Sequence, residues 1–148
     1  MVRQVKSFKL TRLSEPSENE LALITGMARI TLGDFFKIES SHNYWLVYDR
    51  ENSPVGFAGL DINKMAERPY AFLSWCGVLK EARGNGLQKR LIQARVRYGR
   101  RLGMERFVTY TSPDNVASAN NLIRCGFLRY TPDNPYGVEN ASYWKREF

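Results

Sequence analysis

The sequence predicts an α/β fold, a mixed central sheet with flanking helices. Three observations predict it. Segments rich in strand formers alternate along the chain with segments of helical periodicity. The run over residues 70–79 is almost continuously apolar and aromatic, as a strand covered on both faces requires. A glycine-bearing turn then leads from that run straight into a long amphipathic helix. With 148 residues, 43% hydrophobic and 25% charged, the chain reads as one globular domain over residues 1–148, large enough to bury a core without cross-links.

Taken in order, residues 5–13 (Val5 to Leu13) alternate partly and favour a first strand. Ser17-Glu18-Asn19-Glu20 has the Ser-x-x-Glu pattern in which two side chains satisfy the free amides of a helix start. Leu21, Ile24, Ala28 and Leu32 continue it at helical spacing, and a short helical turn is expected over 34–39. Residues 44–48 and 55–60 read as a hairpin around Arg50-Glu51-Asn52-Ser53. After the strand at 70–79, Leu87, Leu91, Ala94, Tyr98 and Leu102 mark the buried stripe of the long helix, which Gly103 ends. A strand at 107–111, a turn at Pro113-Asp114-Asn115, a short helix to about Arg124, and closing strands at Gly126-Phe127 and 141–148 complete the order. No internal repeat, low-complexity tract or Pro/Gly-rich linker interrupts it.

Lys+Arg 22 against Asp+Glu 15 gives +7, which suits a polyanionic partner: nucleic acid, an acidic protein surface or a phosphorylated cofactor. Lys89, Arg90, Arg95, Arg97, Arg100 and Arg101 fall opposite the apolar stripe and read as a solvated helix face, with Lys89 or Arg90 near enough to the turn to reach a phosphate. No nucleic-acid motif is present and the aromatics are spread as core residues, which argues against nucleic acid. Met1 to Lys6 lacks a signal-peptide pattern, and no apolar run is long enough to cross a membrane. Cys76 and Cys125 form no Cys-x-x-Cys pair and lie in apolar stretches, so reduced thiols, a cytoplasmic location and no metal are expected.

The segment with chemical content is Val78-Leu79-Lys80-Glu81-Ala82-Arg83-Gly84-Asn85-Gly86-Leu87-Gln88. Gly84 and Gly86 carry no Cβ, so the backbone there can approach a ligand closely. The helix start adds unpaired N–H groups and a partial positive charge, a combination suited to a pyrophosphate. A phosphate loop of the Gly-x-x-x-x-Gly-Lys-Ser/Thr type is absent, and a dinucleotide fingerprint fails for want of its third glycine.

Arg83-Gly84-Asn85-Gly86-Leu87-Gln88 resembles the Arg/Gln-x-x-Gly-x-Gly/Ala element of the GNAT (N-acetyltransferase) family. About thirty residues on, Asn115-Val116-Ala117-Ser118-Ala119-Asn120-Asn121-Leu122-Ile123-Arg124-Cys125-Gly126-Phe127 resembles that family's second element, in which Asn begins a short helix ending in Gly-Phe. The resemblance runs from about Trp45 to Phe127 and implies a GNAT-like acyl-CoA N-acyltransferase fold. It further implies an acetyl-CoA-dependent N-acetyltransferase acting on an amine-bearing small molecule or protein by direct attack in a ternary complex. In that reading the amides of Arg83, Gly84, Asn85, Gly86, Leu87 and Gln88 hold the pyrophosphate. Backbone groups at Cys76 and Val78 pair with the pantetheine arm, Asn115 touches that arm, and the strands at 70–79 and 106–111 splay to admit it.

The sequence departs from the family at three positions. Gln88 stands where a glycine or alanine is usual, so its side chain is expected to point away from the phosphates. Leu122 occupies the position of a tyrosine that many members use to protonate the leaving thiolate, and Phe72 that of a strand glutamate. The remaining acid–base candidates are Glu39, His42 and Tyr130, beside Asp61, Tyr110 and Tyr143. Cys76 as nucleophile lacks a visible base. Two other classes of function use the same residues: an acyl-CoA-binding module without turnover, and a basic nucleic-acid-binding protein.

Overall fold

The structure, a computed structural model, describes residues 7–34, 36–39 and 41–148. Its seven strands are β1 (Lys9–Leu13), β2 (Asn43–Tyr48), β3 (Pro54–Asn63), β4 (Tyr70–Val78), β5 (Arg106–Thr111), β6 (Leu128–Tyr130) and β7 (Ser142–Glu147). The helices are α1 (Glu18–Leu32), α2 (Leu87–Arg101) and α3 (Val116–Arg124). The strands form a mixed sheet in the order β1-β2-β3-β4-β5-β7-β6. β4 and β5 run parallel, whereas β1/β2, β5/β7 and β6/β7 are antiparallel. Val5 and Lys6, expected in the first strand, lie outside the described residues.

The chain divides into two compact units: the described residues of Met1–Gly59 with Trp75–Leu87, and Leu60–Ser74 with Gln88–Phe148. In the first unit, the capping box at Ser17 forms as expected. Ser17 Oγ accepts from Glu20 N–H at 3.1 Å, and Glu20 Oε1 accepts from Ser17 N–H at 2.9 Å. Ile24, Met27 and Ala28 of α1 pack with Leu13, Phe36, Tyr44, Leu46 and Phe57. No helical turn forms at 36–39. Gly33 breaks α1 at φ 88°, and Phe36 then enters the core on irregular chain, while Glu39 N–H donates to Tyr44 Oη at 2.9 Å. The β2–β3 loop is tied by Asp49, whose Oδ1 accepts from Glu51 and Ser53 N–H.

In the second unit, β5 and β7 pair over their whole length, from Arg106↔Glu147 to Thr111↔Ser142. The buried stripe of α2 there is Leu91, Ile92, Arg95, Val96 and Gly99; Ala94 and Tyr98 are only half-buried and Leu102 is exposed. The stripe is turned toward Gly99 because the Phe107 ring fills the space a Cβ there would occupy, 2.5 Å from its Cε1. Arg95 therefore lies inside, at 2% exposure, and not on the solvated face where its charge suggested. The strand expected at Gly126-Phe127 starts two residues later. Gly126 takes a left-handed φ of 85° beyond the end of α3, and Phe127 is buried in the core before β6 begins.

Candidate functional site

In the first unit β4 ends at Val78, and Leu79 N–H donates to Val55 C=O at 2.8 Å, keeping the chain beside β3. A single 3₁₀ turn, Lys80–Ala82, drops the buried Ala82 inward before the chain extends at Arg83. Gly84 (φ 81°) and Gly86 (φ 71°) both take left-handed conformations, which cost other residues about 1–2 kcal/mol. A Cβ built on either would meet nothing within 4 Å, so backbone conformation and not crowding within the chain calls for glycine at both. Left-handed residues close together create the concave arrays of N–H groups that receive anions. Asn85 fastens the turn, its Nδ2 donating to Ala82 C=O at 2.9 Å and Arg83 C=O at 3.2 Å.

Leu87 is buried and anchors the first turn of α2, which contains no acidic residue to compete with a bound phosphate. Arg83 turns back, Nε donating to Val78 C=O at 3.1 Å, so that carbonyl, expected to serve the pantetheine arm, has a partner within the chain. Cys76 is half-buried and in no disulfide. Next to it, Gly77 allows α1 to approach β4: a Cβ would lie 2.3 Å from Thr31 Oγ1 and 2.7 Å from Phe57 Cε1.

Two of the acid–base candidates, Glu39 and His42, lie in this unit and are joined through the backbone. His42 N–H donates to Glu39 C=O at 3.1 Å, and the His42 ring lies 6.2 Å from that of Tyr44. Burial raises the Tyr44 pKa, the backbone hydrogen bond from Glu39 opposing it only in part, so its hydroxyl stays protonated.

The second unit holds the rest. Asn115 caps α3, its Oδ1 accepting from Ser118 N–H at 3.2 Å. The Gln88 side chain is fixed to α3, Nε2 donating to Ser118 Oγ and Oε1 accepting from Asn121 Nδ2, both at 2.8 Å. Leu122 is a core residue at 4% exposure. Phe72 stacks on Tyr110 and meets Tyr136 edge-on. Tyr130 is separate from Glu39 and His42 in the fold units, its hydroxyl 2.9 Å from that of Tyr136. Burial is the main cause holding the Tyr136 hydroxyl in its neutral form, and Tyr136 also donates to Thr109 C=O at 3.3 Å.

Three side-chain ties escape sequence reasoning. Gln88 was recognised as a departure but not as a tie to α3. Arg95 and Thr109, both buried, donate to β4 carbonyls. The spacing Leu91–Arg95–Gly99, four residues apart each time, is the signal that places Arg95 on the inner face. Among the described residues no group of three or more His, Cys, Asp or Glu is arranged to hold a metal ion, and no helix is long and apolar enough to cross a membrane.

Comparison with known proteins bears on this geometry. Residues 9–127 match the model of the acetyltransferase (GNAT) family. Mycothiol acetyltransferase of Arthrobacter sp. (strain FB24) is 39% identical over 65 residues, 44% of this chain and 20% of that protein. That of Pseudarthrobacter chlorophenolicus is 39% identical over 61 residues, 41% of this chain and 19% of that protein. The matched segment thus spans about a fifth of the length of these curated relatives. Among solved structures, the NatC complex bound to Gag peptide and CoA superposes at a TM-score of 0.81, with 17% identity, covering 95% of this chain and 98% of that one. IAA acetyltransferase from Bacillus cereus superposes at 0.73, with 15% identity, covering 96% and 100%. These likenesses carry the fold. The family match covers the turn, the capped α3 and the strands that frame them, and the chain belongs to the acetyltransferase (GNAT) family, a family of acetyl-CoA-dependent N-acetyltransferases.

Proposed function

We propose that the chain transfers the acetyl group of acetyl-CoA directly to a primary amine, without a covalent enzyme intermediate. The observation that carries this reading is the pair of left-handed glycines, Gly84 and Gly86, leading into an acid-free helix start. The amides of residues 83–88 hold the pyrophosphate, and the β4 backbone at Cys76 and Val78 pairs with the pantetheine arm. Because Val78 C=O accepts from Arg83, its N–H is the group assigned to that pairing. Asn115, from the cap of α3, is assigned a contact to the same arm. Two cysteines in no disulfide accord with a cytoplasmic, reducing environment.

The acceptor must arrive at the thioester as the neutral amine. An ordinary lysine-like amine, with pKa about 10.4, is neutral in about one part in a few thousand at pH 7, a handicap of roughly 4–5 kcal/mol. Desolvation of the ammonium, or proton removal by a carboxylate or ordered water, offsets it. As the nitrogen attacks, negative charge grows on the carbonyl oxygen, and a backbone N–H near Cys76 or Gly77 is the assigned donor. Glu39, His42 and Tyr130 remain the acid–base candidates, Glu39 and His42 acting from one short turn.

A second reading, acyl-CoA binding without turnover, is favoured by the apolar Leu122 and Phe72 at positions where the family often carries its acid and base. Calorimetric titration with acetyl-CoA tests both. Wild type is expected to bind saturably and Gly86→Glu not to bind, since the variant aims a carboxylate at the phosphates and strains the turn. Release of free thiol with a panel of primary amines then separates turnover from binding alone. Absence of binding by folded wild type removes both readings.

A further inference from the structure

In the second unit β7 lies between β5 and β6, and the pairings Arg106↔Glu147, Val108↔Lys145↔Leu128 and Tyr110↔Tyr143↔Tyr130 set these residues on one face of the sheet. The other face carries Phe107, whose ring fills the space beside Gly99 of α2, and Arg146, which donates to Cys125 C=O at the end of α3 at 2.9 Å. The first face is therefore turned away from both helices, and it gathers charge of one sign. Arg106 and Lys145 stand on its strands, and Arg68 reaches Glu147 from the β3–β4 loop. Lys145 Nζ lies 2.9 Å from Glu147 Oε1 and Arg68 Nη2 donates to Oε2, so both carboxylate oxygens are engaged. Arg106 stands opposite Glu147 in register, yet its Nε is buried without a hydrogen-bond partner among the described residues. Its guanidinium lies 5.9 Å from the centre of the Tyr130 ring. Burial keeps the nearby Tyr136 hydroxyl neutral, so that group adds no counter-charge. Buried polar atoms are nearly always paired, and an orphaned guanidinium N–H calls for a reason.

We propose that Arg106, Lys145 and Arg68 form a binding site for a phosphate group, with Arg106 as its anchor. An arginine presents Nε–H and one Nη–H side by side, at the spacing of two oxygens of one oxyanion. An oxygen on Arg106 Nε gives the orphaned donor its partner, and a second oxygen meets the adjacent Nη. Lys145 and Arg68, with side chains 35% and 65% exposed, are held to Glu147 by exposed ion pairs that cost little to loosen, so both can turn toward the ligand. Charge selects the anion. Three cations around one carboxylate leave an excess of two positive charges. A phosphate monoester carries about −1.5 to −2 near neutral pH and balances that excess, whereas a carboxylate balances half of it. The site uses no residue of the first unit, so it is independent of the acetyl-CoA reading, and it gives the excess of basic residues in the sequence a specific place to act.

The Nε–Hε signal of Arg106 in proton–nitrogen correlation spectra reads the site directly, and its disappearance in Arg106→Lys identifies it. Wild type is titrated with inorganic phosphate, phenyl phosphate and acetate at constant ionic strength, with chloride as the replaced anion. Phosphate is expected to move the signal downfield and saturably, with a dissociation constant of about 1–10 mM, and acetate at least about fivefold more weakly. The readout is local, so phosphate held at the glycine turn leaves it unmoved and failure there does not decide this case. Glu147→Gln removes the competing carboxylate and should tighten phosphate about two- to fivefold, whereas Lys145→Gln should weaken it by a similar factor. If one of these variants does not fold, the other decides by its direction. Tighter binding of phenyl phosphate than of inorganic phosphate points to a phosphate borne on an organic molecule, and the reverse order to the free ion; both support the site. A signal unmoved by phosphate, or one that follows acetate or chloride equally, overturns the inference. So does Glu147→Gln binding phosphate no more tightly than wild type.

Discussion

Gly77 lies on β4 between Cys76 and Val78, and replacing it with alanine tests how closely α1 fixes that strand. The new Cβ would sit 2.3 Å from Thr31 Oγ1, 2.7 Å from Phe57 Cε1 and 3.0 Å from Thr31 Cβ. Thr31 yields only by giving up its bond to Met27 C=O at 2.8 Å, worth about 1 kcal/mol. Phe57 has no exposed surface and is held edge-on against Phe36. Overpacking of a filled core costs about 1–3 kcal/mol, and with the lost hydrogen bond the total is about 3 kcal/mol. For a chain of this size that lowers Tm by roughly 6–12 °C. Urea unfolding of wild type, Gly77→Ala, Thr31→Ala and the double variant measures the coupling. Thr31→Ala removes the nearest atom, so the double variant should recover about 1 kcal/mol of the loss. A Gly77→Ala protein with the wild-type midpoint, or a double variant with no recovery, would show that α1 does not press on β4 here.

Other consequences are accessible to simple measurements. Ser17→Ala removes one half of the capping box and should cost about 1 kcal/mol in urea unfolding, with Ser17→Thr close to wild type. Gln88→Leu leaves Ser118 and Asn121 without their shared partner; a loss of about 1–2 kcal/mol is expected, and an unchanged midpoint would deny the tie between α2 and α3 a structural role. Burial raises the Cys125 pKa, while Lys89, Arg146 and Arg95 oppose it only in part, so the folded state holds the thiol proton more firmly than the unfolded one. The stability this contributes is complete below the unfolded thiol range near about 8.5 and is lost as pH rises through the folded value. Between pH 8 and 10 the wild-type urea midpoint should therefore fall more steeply than that of Cys125→Ala, and parallel slopes would contradict the assignment.

The glycine turn proposed to hold the phosphates is legible because backbone makes it. Glycines at 84 and 86, a preceding apolar strand and a following amphipathic helix are contiguous in sequence, and each restricts local conformation in a known way. The same holds for the Ser17 box and the Asn115 cap, where donor and acceptor are three residues apart. Expectation failed where a distant residue decides the local outcome. Over residues 36–39 the expected helical turn loses to Phe36 entering the core, a tertiary contact that short-range periodicity does not contain. The strand expected at Gly126 begins late because Gly126 serves as the left-handed terminus of α3. Arg95 was assigned to solvent by its charge, and Phe107 packing on Gly99 turns that face inward.

The acid–base chemistry has the opposite character from the phosphate turn, and this explains the asymmetry of the sequence record. Phosphate recognition uses groups that every residue carries, so the constraint falls on φ and on the absence of a Cβ, and it leaves a short motif. Proton transfer uses side chains whose placement is set by elements far apart in the chain. Glu39 and His42 follow α1, Phe72 lies on β4, and Tyr130 is fixed through Tyr136 after a turn of its own. At positions 72 and 122 the local physics is satisfied by apolar packing: Phe72 joins a ring of tyrosines and Leu122 fills the core beneath α3. A carboxylate at 72 would need charge stabilisation that stacked aromatic faces do not provide, and a phenol at 122 would need both volume and a hydrogen-bond partner inside a filled core. Apolar residues at these two positions are therefore coherent with their surroundings.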